Sequence, residues 1–468
     1  MKKYLFGVLS LSLLFGACKK SDDNNNNGGG GDNKIVEISG DISSDRTFTA
    51  DKKYLLKGFV YVTNSATLHI EPGTIIMGDK ATKGTLAVTR GAKIDAQGTA
   101  SKPIIFTSAI AAGARREGDW GGVILMGKAP VNASGGEAKI EGGLTATNGG
   151  DEKKYIWYGG TDANDNSGTM KYCRIEFAGI AYSPDNEING LTMGGVGAGT
   201  AISYIQVYRS GDDSYEWFGG TVNCDHLVAT YGWDDDFDTD NGFSGKVQFC
   251  VSQRVKTIAD QSGSNGFESD NDANGSTNSP QTKAIFSNMT VVGPIATANP
   301  SSSPTSGINA NFQNGAQIRR NSSQSIYNSI LIGFPIGLYI DDSKGTATSA
   351  NITGGTLAFK NNIIAGCVTP FKYATTWAGA AAWFATTNSN VIDSAQKVLL
   401  NDPYKFSASV SSPAGTPNYL LKAGSPALTG ADFTGLSGFT TVSYIGAFDG
   451  SNDWTTGWTN YAAETTAY

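Results

Sequence analysis

The chain has 468 residues, enough for a large core, and its 35 basic and 42 acidic side chains give a formal charge of −7. That balance excludes a nucleic-acid partner, because binding a phosphate backbone requires a basic face. Charged residues make up only 16% and glycines number 60, a composition that suits a turn-dense β protein better than an ordinary soluble domain, where about a quarter of residues are charged.

The chain opens with Lys2-Lys3 and an apolar run from Tyr4 to Phe15. That run is too short to span a bilayer and has the length of a signal-peptide core. It ends in Leu14-Phe15-Gly16-Ala17-Cys18, which resembles a lipobox. The resemblance implies a signal peptide over residues 1–17, acylation of Cys18 (palmitate included) and anchoring to a membrane. Residues 18–34 are rich in Asn and Gly, cannot bury anything, and are expected to form a flexible tether. Within them, Lys19-Lys20-Ser21-Asp22-Asp23 resembles the surface-export signal of Bacteroidota lipoproteins, so the outer face of the outer membrane is the expected location.

Residues 35–468 read as one domain. Short β-branched or aromatic runs, such as those in 67–78 and 86–98, alternate with Gly, Asn and Asp turns, and no stretch keeps a helical period. Repetition is the strongest signal. Ser210–Gly220 aligns with Gly232–Gly242, so that Asp212 meets Asp234, Asp213 meets Asp235, Tyr215 meets Phe237 and Glu216 meets Asp238. A period near 22 residues is one coil of a parallel β-helix, which buries its inner face only by stacking. The register continues through 266–271, 316–321 and 337–342. An inward column then runs Tyr215, Phe237, Phe267, Ala316, Leu338, and an outward column runs Glu216, Asp238, Glu268, Gln317, Tyr339, as a period-2 strand demands. Two positions on, Phe218, Asp240, Asp270, Arg319 and Asp341 form a further column. Surface loops are expected near 145–170, 270–282 and 294–316.

The segments at 66–78 and 91–108 resemble the opening coils of right-handed β-helix proteins of the pectate-lyase-like superfamily, and 419–433 resembles their closing segment. More narrowly, 119–132, 215–223, 268–272, 318–321 and 444–461 look like an uncharacterised family of Bacteroidota surface lipoproteins. The resemblance implies an all-β fold, a right-handed single-stranded parallel β-helix with N- and C-terminal caps, and implies no established reaction. The lyases' own catalytic motifs are not recognisable in this chain.

Stacked coils would bring Glu216, Asp238 and Glu268 together, and three like charges in a row need a cation, an arginine or raised pKa values. Carboxylate oxygens in a Gly/Asn-rich setting suit calcium, the candidate cofactor, with Asp234, Asp236, Asp238, Asp240, Glu216, Glu268 and Asp270 as candidate ligands. Asp212, Asp213 and Asp235 crowd the preceding turns. The bland alternative is a ladder of Asp270, Arg319 and Asp341 that neutralises itself and holds register. Catalytic candidates on the same face are Glu216, Asp238, Glu268, Arg319 and Arg320, since carboxylate pairs serve glycoside hydrolysis. Trp233 and Tyr231 are the candidate ligand-stacking aromatics, whereas Tyr215 and Trp217 read as core. Trp454, Trp458 and Tyr461 are expected to cap the last coil. His69 and His226 read as strand residues. Cys173, Cys224, Cys250 and Cys367 read as buried thiols, with a disulfide left open.

Three functions follow in order: a monomeric surface lipoprotein that binds glycan or matrix, or acts as a scaffold, through the acidic face; a polysaccharide lyase or glycoside hydrolase on that face; and a purely structural surface protein.

Overall fold

Runs rich in Val, Ile and Thr, each ended by Gly, Asn or Asp, favour short strands over helices. In the computed structural model, which describes residues 34–183, 186–296, 307–404 and 415–468, they wind as a right-handed parallel β-helix. Cys18 and the segment before Lys34 lie outside the described residues.

One coil shows the plan. Asn223–Thr230 runs straight, turns at His226, and continues; a loop of aspartates follows; Phe237–Asp240 then makes the third side. Each side pairs in parallel with its counterparts in the coils before and after, as Ala201↔Asn223, Leu227↔Ile205 and Tyr215↔Phe237 illustrate. The spacing is 22 residues from Tyr215 to Phe237, 30 from Phe237 to Phe267 and 49 from Phe267 to Ala316. Loop insertions lengthen the later coils without disturbing the stack.

The inward column is as expected. Tyr215, Phe237, Phe267, Ala316 and Leu338 are fully buried, and the rings of Tyr215 and Phe237 stack at 5.8 Å. Trp217 is also core, stacked on Phe243 at 5.3 Å. Burying each such side chain contributes about 1.5–3 kcal/mol. The four cysteines are free.

The turn between the first two sides uses a single residue in the left-handed region: Tyr172, Tyr204, His226, Phe249, Asn288 and Asn328, all with φ between 49° and 56°. For residues other than Gly and Asn this costs about 1–2 kcal/mol. Stacking offsets it: Tyr172 on Tyr204 at 4.5 Å and Tyr204 on His226 at 4.3 Å. His226 is therefore a corner residue. His69 is a strand residue as expected, its Nδ1 2.9 Å from Asp95.

The chain end behaves differently from expectation. Trp454, Trp458 and Tyr461 do not cap the last coil. They lie along the flank, where Trp454 packs edge-on to His226 at 4.9 Å and Trp458 to Tyr172 at 5.8 Å. The tail is drawn there because the aromatic corners leave a ladder of rings to cover. It continues until the Tyr468 hydroxyl meets the buried Glu176 at 2.6 Å. The last coil's core is covered instead by Phe371, Trp377, Trp383 and Phe384, around the short helix Ala380–Ala385.

The insertion expected near 145–170 starts earlier in the chain, with a small antiparallel pair, Glu137–Lys139 with Trp157–Gly159, and the helix Glu152–Tyr155. Among the described residues, no helix is long and apolar enough to cross a membrane.

Candidate functional site

Asp and Gly cannot extend a strand easily, so the sequences Gly211-Asp212-Asp213 and Trp233-Asp234-Asp235 form the turns that enter the third side of two successive coils. The coils stack in register, and the aspartates pair as the strands do. The Asp235 amide donates to Asp213 Oδ1 at 2.7 Å, and the Asn265 amide of the next coil donates to Asp235 Oδ1 at 2.5 Å. On the strands that follow, Glu216, Asp238, Glu268, Gln317, Tyr339 and Lys372 occupy one outward column over six rungs.

Eight carboxylates line the acidic end of this column, Glu141 of the insertion among them. Oxygens of Asp212, Asp213 and Asp234 lie within 4.8 Å of one another; so do those of Asp213, Glu216 and Asp238, and those of Asp235, Asp238 and Glu268. These acidic clusters could hold a metal ion. Asp213, Glu216 and Asp235 are buried, and the others are partly so. Burial, reinforced by neighbouring carboxylates, pushes Asp213, Glu216, Asp238 and Asp234 well above the usual carboxylate range. Several have neutral donors: Asn189 Nδ2 reaches Glu216, Asn265 Nδ2 reaches Glu268 at 3.3 Å, and Ser262 Oγ reaches Asp234 at 2.8 Å. Asp238 is different. Its Oδ1 is buried and has no hydrogen-bond partner, as is Oδ1 of Asp234.

The expected ligands divide into two sets. Glu216, Asp234, Asp238 and Glu268 come together. Asp236, Asp240 and Asp270 do not join their groups. Asp236 points into the core, where its Oδ1 is 3.1 Å from Arg254 Nε and both side chains are fully buried. It sits in the turn just before the strand Phe237–Asp240, and its pairing with Arg254 rather than strand alternation sets its direction. Asp270 is held by Arg319 Nε at 3.0 Å and Arg320 Nη1 at 2.6 Å. Asp240 turns to its own loop, accepting from the Asn241 amide at 2.6 Å. Burial and the nearby Asp270 raise its pKa to about 7. Asp212, Asp213 and Asp235 were not among the expected ligands; the doubled aspartates repeated at one coil's spacing were their signal.

Arg319 also pairs with Glu268. Its neighbouring carboxylates raise its pKa despite burial, so it stays charged. The anticipated charge ladder is only partly present, because Asp341 accepts from Gln317 Nε2 at 3.0 Å instead of from Arg319.

Two adjoining cavities open over the carboxylates. One of about 200 Å3 is lined by Asp213, Glu216, Asp238 and Glu268. The other, of about 580 Å3, shares Asp212, Asp234 and Ser262 with it and extends past Trp233. Trp233 is 39% exposed and presents an aromatic surface at that cavity. Tyr231 does not: it is fully buried against Tyr208, with ring centroids 5.7 Å apart. It belongs to a flank cluster with Phe177, Tyr208, Val255 and Ala463 of the tail, and it offers no face to a ligand.

A family model described as "Pectate-lyase like beta helix domain" matches residues 40–401. Among solved structures, the chain is similar to one described as pectate lyase Pel9A, with TM-score 0.24 and 13% identity over 81% of this chain and 88% of that one. It is also similar to the Dettilon tailspike protein (gp208), with TM-score 0.20 and 9% identity over 76% of this chain and 64% of that one. No curated protein matches.

Proposed function

The chain belongs to the pectate-lyase-like β-helix family, and from that premise we propose that it is a glycan-binding surface lipoprotein whose acidic cleft holds calcium. The observation that carries this reading is the buried Asp238 Oδ1, unpartnered at the meeting point of two carboxylate triads. Carboxylates packed this closely need a counter-charge or protons. Calcium takes six to eight oxygen ligands in flexible geometry, which suits the side chains of Asp213, Glu216, Asp235, Asp238 and Glu268. When bound, it would supply positive charge to an otherwise repellent cleft and bridge to carboxylate groups of an acidic polysaccharide. Trp233 would stack on a sugar ring in the adjoining cavity.

Binding is favoured over lyase chemistry because Arg319, the arginine nearest the acids, is fixed in ion pairs with Glu268 and Asp270. A charged, paired guanidinium is a poor proton acceptor. Residues 1–17 would be removed as a signal peptide, Cys18 would carry the lipid in the manner of Bacteroidota lipoproteins, and 18–34 would tether a monomeric body, 35–468, on the outer face of the outer membrane.

The test is calorimetric titration of calcium, then of an acidic polysaccharide panel with calcium or with EDTA, while soluble products are assayed. Calcium-dependent binding without new chain ends is the expected result. Failure to bind calcium or any glycan in the panel would remove the reading, and released oligosaccharides would replace it with cleavage.

A further inference from the structure

A third cavity, of about 350 Å3, has the opposite charge. It lies where three turns stack on successive coils: the one after Lys53–Val62, carrying Asn64 and Ser65; the one after Thr85–Val88, carrying Arg90; and the one after Val123–Met126, carrying Lys128. The helix Glu152–Tyr155 of the insertion adds Lys153 and Lys154 from the side. No carboxylate lines the cavity.

The acids nearby are committed. Glu137 binds Arg90 and, at 2.9 Å, Lys153. Glu152 pairs with Lys139 at 2.6 Å, and Asp151 caps its own helix by accepting from the Lys153 amide at 3.0 Å. Asp41 accepts the Tyr155 hydroxyl at 2.6 Å and the Thr147 hydroxyl at 2.7 Å, and stands 3.9 Å from Lys154. Four cations thus face two carboxylates, Glu137 and Asp41. The Lys128 ammonium has no ion pair or hydrogen bond among the described residues. It extends over Gly91, whose missing side chain leaves the space: a β-carbon there would sit 2.9 Å from Nζ. In a chain of net charge −7, four cations gather at this corner.

We propose that this corner is an oxyanion site that takes a phosphate or sulfate group. The side chains that line the cavity include four cations and no anion, which suits an oxyanion. The ammonium groups of Lys128 and Lys154 each offer three rotatable donors, the side chains of Asn64 and Ser65 add neutral ones, and Arg90 and Lys153 supply charge from behind. The site is independent of the acidic cleft and of calcium.

Titration calorimetry with inorganic phosphate and with sulfate, at fixed ionic strength so that general screening is constant, tests it. The protein should bind either anion saturably at one site. Lys128→Ala should weaken binding at least fivefold and Lys128→Glu abolish it, while Lys372→Ala, a basic residue elsewhere, leaves it unchanged. Lys128 is exposed, and an unchanged melting temperature confirms that these variants fold. Sedimentation with phosphatidic acid vesicles against phosphatidylcholine vesicles separates the sources. Lys128-dependent sedimentation assigns the group to a lipid headgroup, and binding of the free anions alone assigns it to a soluble ester. Absence of both, or binding indifferent to Lys128, overturns the proposal.

Discussion

Glu216 and Asp238, 22 residues apart in the chain, sit directly over each other on adjacent rungs with their Cα positions in register. Rungs are about 4.8 Å apart, and two like charges at that distance repel by roughly 3 kcal/mol at an effective dielectric of 20. Such a pair is stable only with protons or a cation.

Asp238 belongs to two of the three carboxylate groups. Asp238→Asn should therefore raise the melting temperature in EDTA, by a stabilisation on the order of 1 kcal/mol, and shrink the further rise on adding calcium. Differential scanning fluorimetry in both conditions checks this. A variant that is destabilised in EDTA and still responds fully to calcium contradicts the assignment.

Stability without metal should fall with pH. Burial raises Asp236 from 3.8 to about 7 against the opposing pull of Arg254, and burial with Asp270 raises Asp240 to about 7. Between those values the folded chain holds protons that the unfolded chain has lost, so the stabilisation is full below the unfolded pKa and is lost as pH rises through about 7. Melting temperatures in EDTA should decline as pH rises from about 4 through about 7. Metal should flatten the decline.

Removing one member of the buried Asp236–Arg254 pair strands a charge in the core. Asp236→Ala should cost about 3–5 kcal/mol, measured by denaturant unfolding. A loss under 1 kcal/mol is incompatible with Arg254 being as enclosed as its full burial indicates.

Trp458 is almost fully buried, with its ring against Tyr172 and Tyr204. Trp458→Ala should destabilise by about 3–5 kcal/mol and raise hydrogen exchange around Tyr172 and Tyr204, far away in sequence. Exchange confined to residues near 458 argues against tail docking.

Trp233→Ala should leave the unfolding free energy within about 0.5 kcal/mol of the parent, as expected at an exposed position. It should weaken glycan binding roughly tenfold, since aromatic contacts contribute on the order of 1 kcal/mol. Equal affinities in calorimetry would remove Trp233 from the binding surface.

Much of this was readable in the sequence. The 22-residue repeat gave the coil, the inward column and the meeting of Glu216, Asp238 and Glu268, because strand alternation and stacking are local rules applied over and over. Side-chain direction in the turns was not readable. Asp234, Asp235 and Asp236 are neighbours in sequence, yet only Asp236 enters the core, and only the position of Arg254 explains why. Tyr231 looked exposed because the tail residues that cover it lie far away in sequence. The tail was misread because packing against a distant ladder of rings leaves no periodic mark; Trp454 and Trp458 look the same in sequence whether they seal an end or lie along a side.

That tail changes the character of the solenoid. A stack of coils touching only their neighbours can unravel from either end, one coil at a time. Here the last residue reaches Glu176, 292 positions earlier, so the stack is lashed lengthwise and loosening one end slackens the middle. The lashing cannot be tied until the final residues have been synthesised. The chain thereby stays short of its most stable state until the segment from Trp454 to Tyr468 has been made.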